Sequence, residues 1–210
     1  MEKNILVVID VQNDFIYGKF STKQAQNIVK NIFEEIRNTT VLYDEIIFTK
    51  DTHDFYDFFP RTLATYEGYR VKSHCVRNTS GWDIVFPIKD CPGEVILKDI
   101  FDGSKRIIDF LVEKYNLDWG SLRGDAKFNF YICGVCTDIC VLATSVGLTK
   151  YNCVNRITVL TDLCAGTSPK AHKTAVAAMA PFGIVTATIK DIKKKHKKYS
   201  KIKKESSQND

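Results

Sequence analysis

The sequence predicts an α/β domain, a doubly wound, mostly parallel six-stranded sheet with helices on both faces. Three observations lead there. The run Ile5–Asp10 (ILVVID) is apolar without polar alternation, which suits a strand covered on both sides, as in a parallel sheet. Strand-like runs alternate along the chain with segments of helical apolar spacing, the pattern of right-handed βαβ crossovers. And 210 residues, 44% hydrophobic and 26% charged, are enough for one domain with one core.

The elements follow in order. After Ile5–Asp10, Ser21 or Thr22 can cap a helix whose apolar positions are Ala25, Ile28, Val29, Ile32, Phe33 and Ile36. Asp44–Lys50 (DEIIFTK) is a second strand, followed by Asp51. Residues 52–93 are irregular and rich in aromatics, Pro and Gly, long enough to suggest function rather than simple connection. Glu94–Lys98 is a third strand, and Lys105–Tyr115 a helix with Ile107, Ile108, Phe110 and Leu111 inward. Phe128–Cys133 is a fourth strand ending in Gly134. Thr137 and Asp138 are good N-caps for the helix that carries Ile139, Val141, Leu142 and Val146. Asn155–Asp162 is a fifth strand, Ser168–Met179 a helix that Pro169 can start, and Ile184–Ile189 a sixth strand. The domain is expected over residues 1–192. Lys193–Asp210 is Lys-dense and poor in apolar residues, so it reads as a frayed helix or a disordered tail.

Composition narrows the function classes. The net charge of +5 comes from residues 190–210, which hold nine Lys against Asp191, Glu205 and Asp210. The other 189 residues carry 21 basic and 22 acidic side chains, so the body is not a nucleic-acid-binding surface. No apolar run approaches the roughly 18 residues that cross a membrane, and MEKNILVVID reads as a strand rather than a signal peptide. Seven Cys, an odd number without a secretion signal, fit reduced thiols in the cytoplasm better than a disulfide framework. No G-x-G-x-x-G follows the first strand, which argues against a dinucleotide-binding oxidoreductase.

In open α/β sheets, ligands bind at the carboxyl ends of the strands. Those ends collect Asp10, Asp51, Lys98, Gly134–Cys140 and Asp162. An acid, a lysine and a cysteine there make a hydrolytic triad, in which Asp10 takes the thiol proton, Lys98 holds the pair in register and Cys140 attacks. Cys140 is expected in the first turn of its helix, where backbone N–H groups and the dipole push a thiol towards thiolate. Taken singly, Asp10 also fits a turn, Lys98 a surface strand end and Cys140 packing. Asp51 and His53, two positions apart, face the same side of an extended chain, and Glu67 and His74 follow. That carboxylate–imidazole mixture suits Zn²⁺, Mn²⁺ or Fe²⁺, although scattered His and acids equally fit structural roles.

Three segments in this order carry a resemblance: Asp10 in VIDVQNDF, Lys98 in VILKDIFDGS and Cys140 in GVCTDICV. Together they resemble the signatures of the isochorismatase-like cysteine hydrolases, the superfamily that includes nicotinamidases, over roughly residues 5–168. The resemblance implies Asp10, Lys98 and Cys140 as catalytic triad. It also implies a cis peptide at Val135–Cys136 and an oxyanion hole from the backbone N–H groups of Cys136 and Cys140. Isochorismatases proper lack the nucleophilic Cys, so Cys140 favours amide hydrolysis, with nicotinamide going to nicotinate and ammonia through a thioester. A divalent metal is implied at Asp51, His53, Glu67 and His74, zinc first, with manganese or iron as alternatives. The implied pocket contains Phe15, Phe101, Val135 and, where relatives often stack an aromatic on the ring, Val71. Tyr69 or Phe15 is the alternative source of a stacking surface, and the departure keeps other small amides, carbamates and ureido compounds open as substrates. Gln12 and Asp14 are expected to hold the strand-end loop together, Cys136 to be a small pocket residue and His172 to lie on a helix surface. The expected partner is a small-molecule amide, and the family's habit implies a homo-oligomer.

Overall fold

Six strands form one sheet: β1 (Glu2–Ile9), β2 (Glu45–Asp51), β3 (Glu94–Lys98), β4 (Lys127–Val135), β5 (Val154–Ala165) and β6 (Val185–Ala187). Their order across the sheet is β3-β2-β1-β4-β5-β6, and every neighbouring pair is parallel. The computed structural model describes residues 1–37, 42–54, 73–87, 91–117 and 126–196. Ile5 to Ile9 of central β1 are each at most 1% exposed, the burial on both faces that their unbroken apolar run requires. Each such side chain contributes roughly 1.5–3 kcal/mol relative to an exposed one.

The helices are α1 (Asn13–Ile16), α2 (Lys23–Arg37), α3 (Ser104–Lys114), α4 (Leu142–Leu148), α5 (Pro169–Met179) and α6, residues 189–196. α2 packs on β4 and β5. α3, α4 and α5 touch one another in series and rest on β3 and β5. Right-handed crossovers place α2 on one face and α3–α5 on the other. Of the two candidates, Thr22 caps α2, its Oγ1 accepting from Ala25 N–H at 3.1 Å. Ser168 caps α5 through Ala171 N–H at 3.1 Å, with Pro169 in the first turn.

Several expected boundaries move, most of all near the C-terminal strands. β5 runs past Asp162 to Ala165, and the Asp162 carboxylate accepts from Ile189 N–H at 3.0 Å, so it stands apart from the other strand-end groups. β6 is only three residues long, because Thr188 and Asp191 start α6 by reciprocal capping: Thr188 Oγ1 accepts from Asp191 N–H at 3.2 Å, and Asp191 from Thr188 N–H at 3.4 Å. α6 extends into the segment expected as tail, where Lys193 pairs with buried Glu35 of α2. Residues 197–210 lie outside the described residues.

The strand order reverses between β1 and β4, and the crevice there is where such sheets bind ligands. Gly134 makes the close approach of those strands: its φ is 115°, and a Cβ on it would lie 2.1 Å from Ile9 O.

Candidate active site and metal centre

Each site residue leaves the sheet from its carboxyl edge. β1 ends at Ile9, and Asp10 takes a left-handed φ of 49°, a conformation Asp tolerates. Asp10 is fully buried. Its Oδ1 accepts from Thr49 Oγ1 at 2.6 Å, and its Oδ2 lies 2.7 Å from Lys98 Nζ. Lys98, the last residue of β3, threads its ammonium into the same interior, 3.1 Å from Asp51 Oδ1, 3.1 Å from Ile100 O and 3.7 Å from Cys140 Sγ. The expected triad is therefore assembled around one cation.

Cys140 sits in a turn of π-helix, Thr137–Val141, rather than in the first turn of an α-helix. Cys136 O accepts from both Ile139 N–H (3.0 Å) and Val141 N–H (3.1 Å), which satisfies donors that a side-chain cap would otherwise serve. Thr137 and Asp138 accordingly do not cap. Thr137 Oγ1 meets His172 Nδ1 at 2.9 Å, and Asp138 accepts from Thr167 N–H at 2.8 Å and Thr167 Oγ1 at 2.6 Å. Half-buried His172 thus anchors the turn from α5 instead of lying on a free helix surface. The peptide Val135–Cys136 is cis.

Electrostatics reverse one expectation. Burial pushes the Cys140 thiol well above its ordinary pKa; Lys98 opposes this, while Asp10 and Asp51 add to it. Asp10 is also raised, by burial first and by Asp51, against the pull of Lys98, which makes it a stronger proton acceptor than an ordinary aspartate. Burial works against the Lys98 ammonium too, but the neighbouring carboxylates, Asp10 before Asp51, outweigh it and raise its pKa.

A second group adjoins the first. Asp51 Oδ2 lies 3.1 Å from His53 Nε2 and 3.1 Å from His74 Nε2. One ligand atom from each of the three residues falls within 4.8 Å of the others, and all three residues are buried. Burial alone would raise Asp51, yet Lys98, His53 and His74 hold its carboxyl far below the usual range. Converging, buried, anionic oxygen and imidazole nitrogen donors fit a divalent metal ion. Asp51 is common to both groups, with one oxygen on the lysine and the other on the histidines. Glu67, Val71 and Tyr69 lie outside the described residues.

Between the two groups opens a pocket of about 360 Å³, lined among others by Phe15, Phe20, His74, Phe101, Cys136, Ile139 and Cys140. Phe15, Phe101 and Cys136 are where the sequence placed them. Val135 is not. It ends β4 with its side chain in the core, 1% exposed and away from the pocket lining.

Sequence reading missed Phe20, whose ring packs edge-on against His74 at 5.3 Å, and Ile139 and Thr167, which also line the pocket. It also missed Thr49, whose hydroxyl donates to the Asp10 carboxylate and accepts from Asp10 N–H at 3.2 Å. Only knowing that β2 lies beside β1 would have singled out Thr49. Among the described residues, which include all seven cysteines, no disulfide is formed. Among the described residues, no helix is long and apolar enough to cross a membrane.

Known proteins share this chain's family and fold. The family model of the isochorismatase domain matches residues 4–191. The nicotinamidase of Schizosaccharomyces pombe is 27% identical, over 89% of this chain and 93% of its own length. That of Saccharomyces cerevisiae is 25% identical, over 75% and 85%. Among solved structures, the pyrazinamidase of Pyrococcus horikoshii, determined in complex with zinc, shares the fold with a TM-score of 0.70 at 24% identity, covering 89% of this chain and 99% of that one. The pyrazinamidase/nicotinamidase of Streptococcus mutans UA159 superposes with a TM-score of 0.66 at 25% identity, over 88% and 99%. With a family match that takes in all six strands and both residue groups, the chain belongs to the isochorismatase family.

Proposed function

We propose that this protein is a cysteine amidohydrolase that converts nicotinamide to nicotinate and ammonia. The observation that carries the reading is the buried Lys98 ammonium, held 2.7 Å from Asp10 and 3.7 Å from the Sγ of Cys140, which itself lines an aromatic-walled pocket. The named activities of the two yeast relatives support the substrate.

In the first step the Cys140 proton passes to Asp10 as Sγ bonds to the carboxamide carbon. Lys98 stabilises both the forming thiolate and the carboxylate that receives the proton. The carbonyl oxygen becomes an oxyanion, for which the backbone N–H groups of Cys136 and Cys140 are the proposed donors, together worth on the order of 3 kcal/mol or more. Asp10 returns the proton to the nitrogen, the C–N bond breaks, and ammonia leaves a thioester on Cys140. Water then attacks with Asp10 as base, the C–S bond breaks, and nicotinate and the thiol are released.

Asp51, His53 and His74, with Glu67 as the proposed fourth ligand, would hold a divalent cation, zinc in this reading, as a Lewis acid for the pyridine nitrogen. The zinc named for the P. horikoshii structure supports that choice. Phe15, Phe20 and Phe101 would enclose the ring and exclude water.

The test is ammonia release from nicotinamide by metal-replete wild type and by Cys140→Ala. Release by the wild type alone is expected. Release by both would overturn the nucleophile. Release by neither, with turnover of a ureido compound or carbamate by the wild type, would move the substrate while keeping the triad.

A further inference from the structure

Asp51 is the residue through which the lysine and the two histidines meet, so what holds Asp51 decides the geometry of both groups. In a strand, successive backbone N–H and C=O groups point to alternate sides. Thr52 N–H donates to Lys98 O of β3 at 2.8 Å, so the backbone groups of Asp51 face the β1 side. There β1 has already ended, its chain turning away at Asp10. The Gln12 side chain fills the gap. Its Oε1 accepts from Asp51 N–H at 2.8 Å, and its Nε2 donates to Asp51 O at 2.8 Å and to Trp82 O at 2.8 Å. One carboxamide thus reproduces the ladder that a further β1 residue would have made. Gln12 is fully buried, with both donors and its acceptor engaged.

We propose that Gln12 is a positioning residue: its amide continues the β1–β2 ladder by one rung and thereby sets how tightly Asp51, His53 and His74 hold a divalent cation. The inference rests on the metal-site reading given above. Asp51 places three contacts of 3.1 Å, to Lys98, His53 and His74, from a single carboxylate. Without Gln12, the N–H and C=O of Asp51 and the C=O of Trp82 lose buried partners, and the backbone must move to find others. A shift there displaces the carboxylate from all three contacts at once. No other side-chain type offers the same set: Asn is a methylene shorter, and a Glu carboxylate lacks both donors.

The experiment measures zinc affinity of the full chain by competition with a chromogenic chelator, zinc alone being the probe. Gln12→Met should raise the apparent Kd about 10–100-fold, the range for partners that orient metal ligands. Ile16→Val, a buried change in the same segment that touches none of these bonds, should leave the Kd unchanged while lowering the melting temperature of the chelator-treated protein. Should Gln12→Met not fold, Gln12→Asn carries the same comparison with the same expected direction. If the wild type binds zinc and the Gln12 variant binds it within twofold, or Ile16→Val weakens binding equally, the role of Gln12 is overturned and the metal site stands. If the wild type does not bind zinc, the metal site falls and the inference with it.

Discussion

Lys98→Met is the most informative single change, because the ammonium is both the structural centre of the site and its electrostatic one. The side chain is fully buried between Asp10 and Asp51, 2.7 and 3.1 Å away. Met fills similar volume without charge. In metal-replete buffer a bound cation would still neutralise Asp51, leaving Asp10 as the stranded carboxylate. Breaking a buried pair in this way costs about 3–5 kcal/mol. For a chain of this size that corresponds to a fall of about 6–20 °C in melting temperature.

The loss should depend on pH with a definite sign. Asp10 is raised by burial even in the wild type, and without Lys98 it rises further. A carboxyl whose folded pKa exceeds its unfolded value of about 3.9 contributes stability in its neutral form. That contribution is fully present below the unfolded pKa and is lost as pH rises through the folded one. The gap between variant and wild type should therefore narrow from pH 8 to pH 5. In catalysis, Lys98 is the group that draws the raised Cys140 thiol back down. An opposite charge at such range moves a pKa by about 1–3 units, so kcat/KM should fall roughly 10- to 1,000-fold. Thermal unfolding at the two pH values and ammonia release are the assays. A variant that melts within 2 °C of the wild type at both, or keeps full turnover, would refute the reasoning.

Two further outcomes can be checked. Gly134→Ala puts a Cβ 2.1 Å from Ile9 O at a residue with φ 115°, so strain and overpacking together should cost about 2–6 kcal/mol. A melting temperature equal to the wild type's would contradict that. Phe20→Ala removes a pocket wall that also packs on His74, and should raise KM for aromatic amides about 5- to 30-fold, from about 1–2 kcal/mol of lost contact, with a smaller effect on kcat. An unchanged KM would show that the ring binds elsewhere.

Much of the site was legible in the chain because its chemistry sits at predictable places. Asp10, Asp51 and Lys98 stand at or just beyond the ends of apolar runs, and parallel strands bring such ends to one edge. His53 and His74 were readable as candidate ligands through their spacing and the family resemblance, and the structure brings both beside Asp51. Val135 belongs to the buried core cluster and is not among the residues that line the pocket, a matter of packing that residue type does not reveal. Thr137 and Asp138 were read as caps because their residue types favour caps. Propensity could not foresee that a π-helical turn would satisfy the local donors through Cys136 O and free both side chains to bind Thr167 and His172.

The sequence by itself determined the alternation of elements, the burial of β1 and which residues are candidates for the reacting groups, since periodicity and residue type are local properties of the chain. Only the tertiary structure decided that Lys98 stands between Asp10 and Asp51, that Thr49 serves Asp10, that Gln12 replaces a strand residue beside Asp51, and that burial pushes the Cys140 thiol up. Those are consequences of strand order and of exclusion from water, and both arise from contacts between residues distant in the chain, which no local pattern encodes.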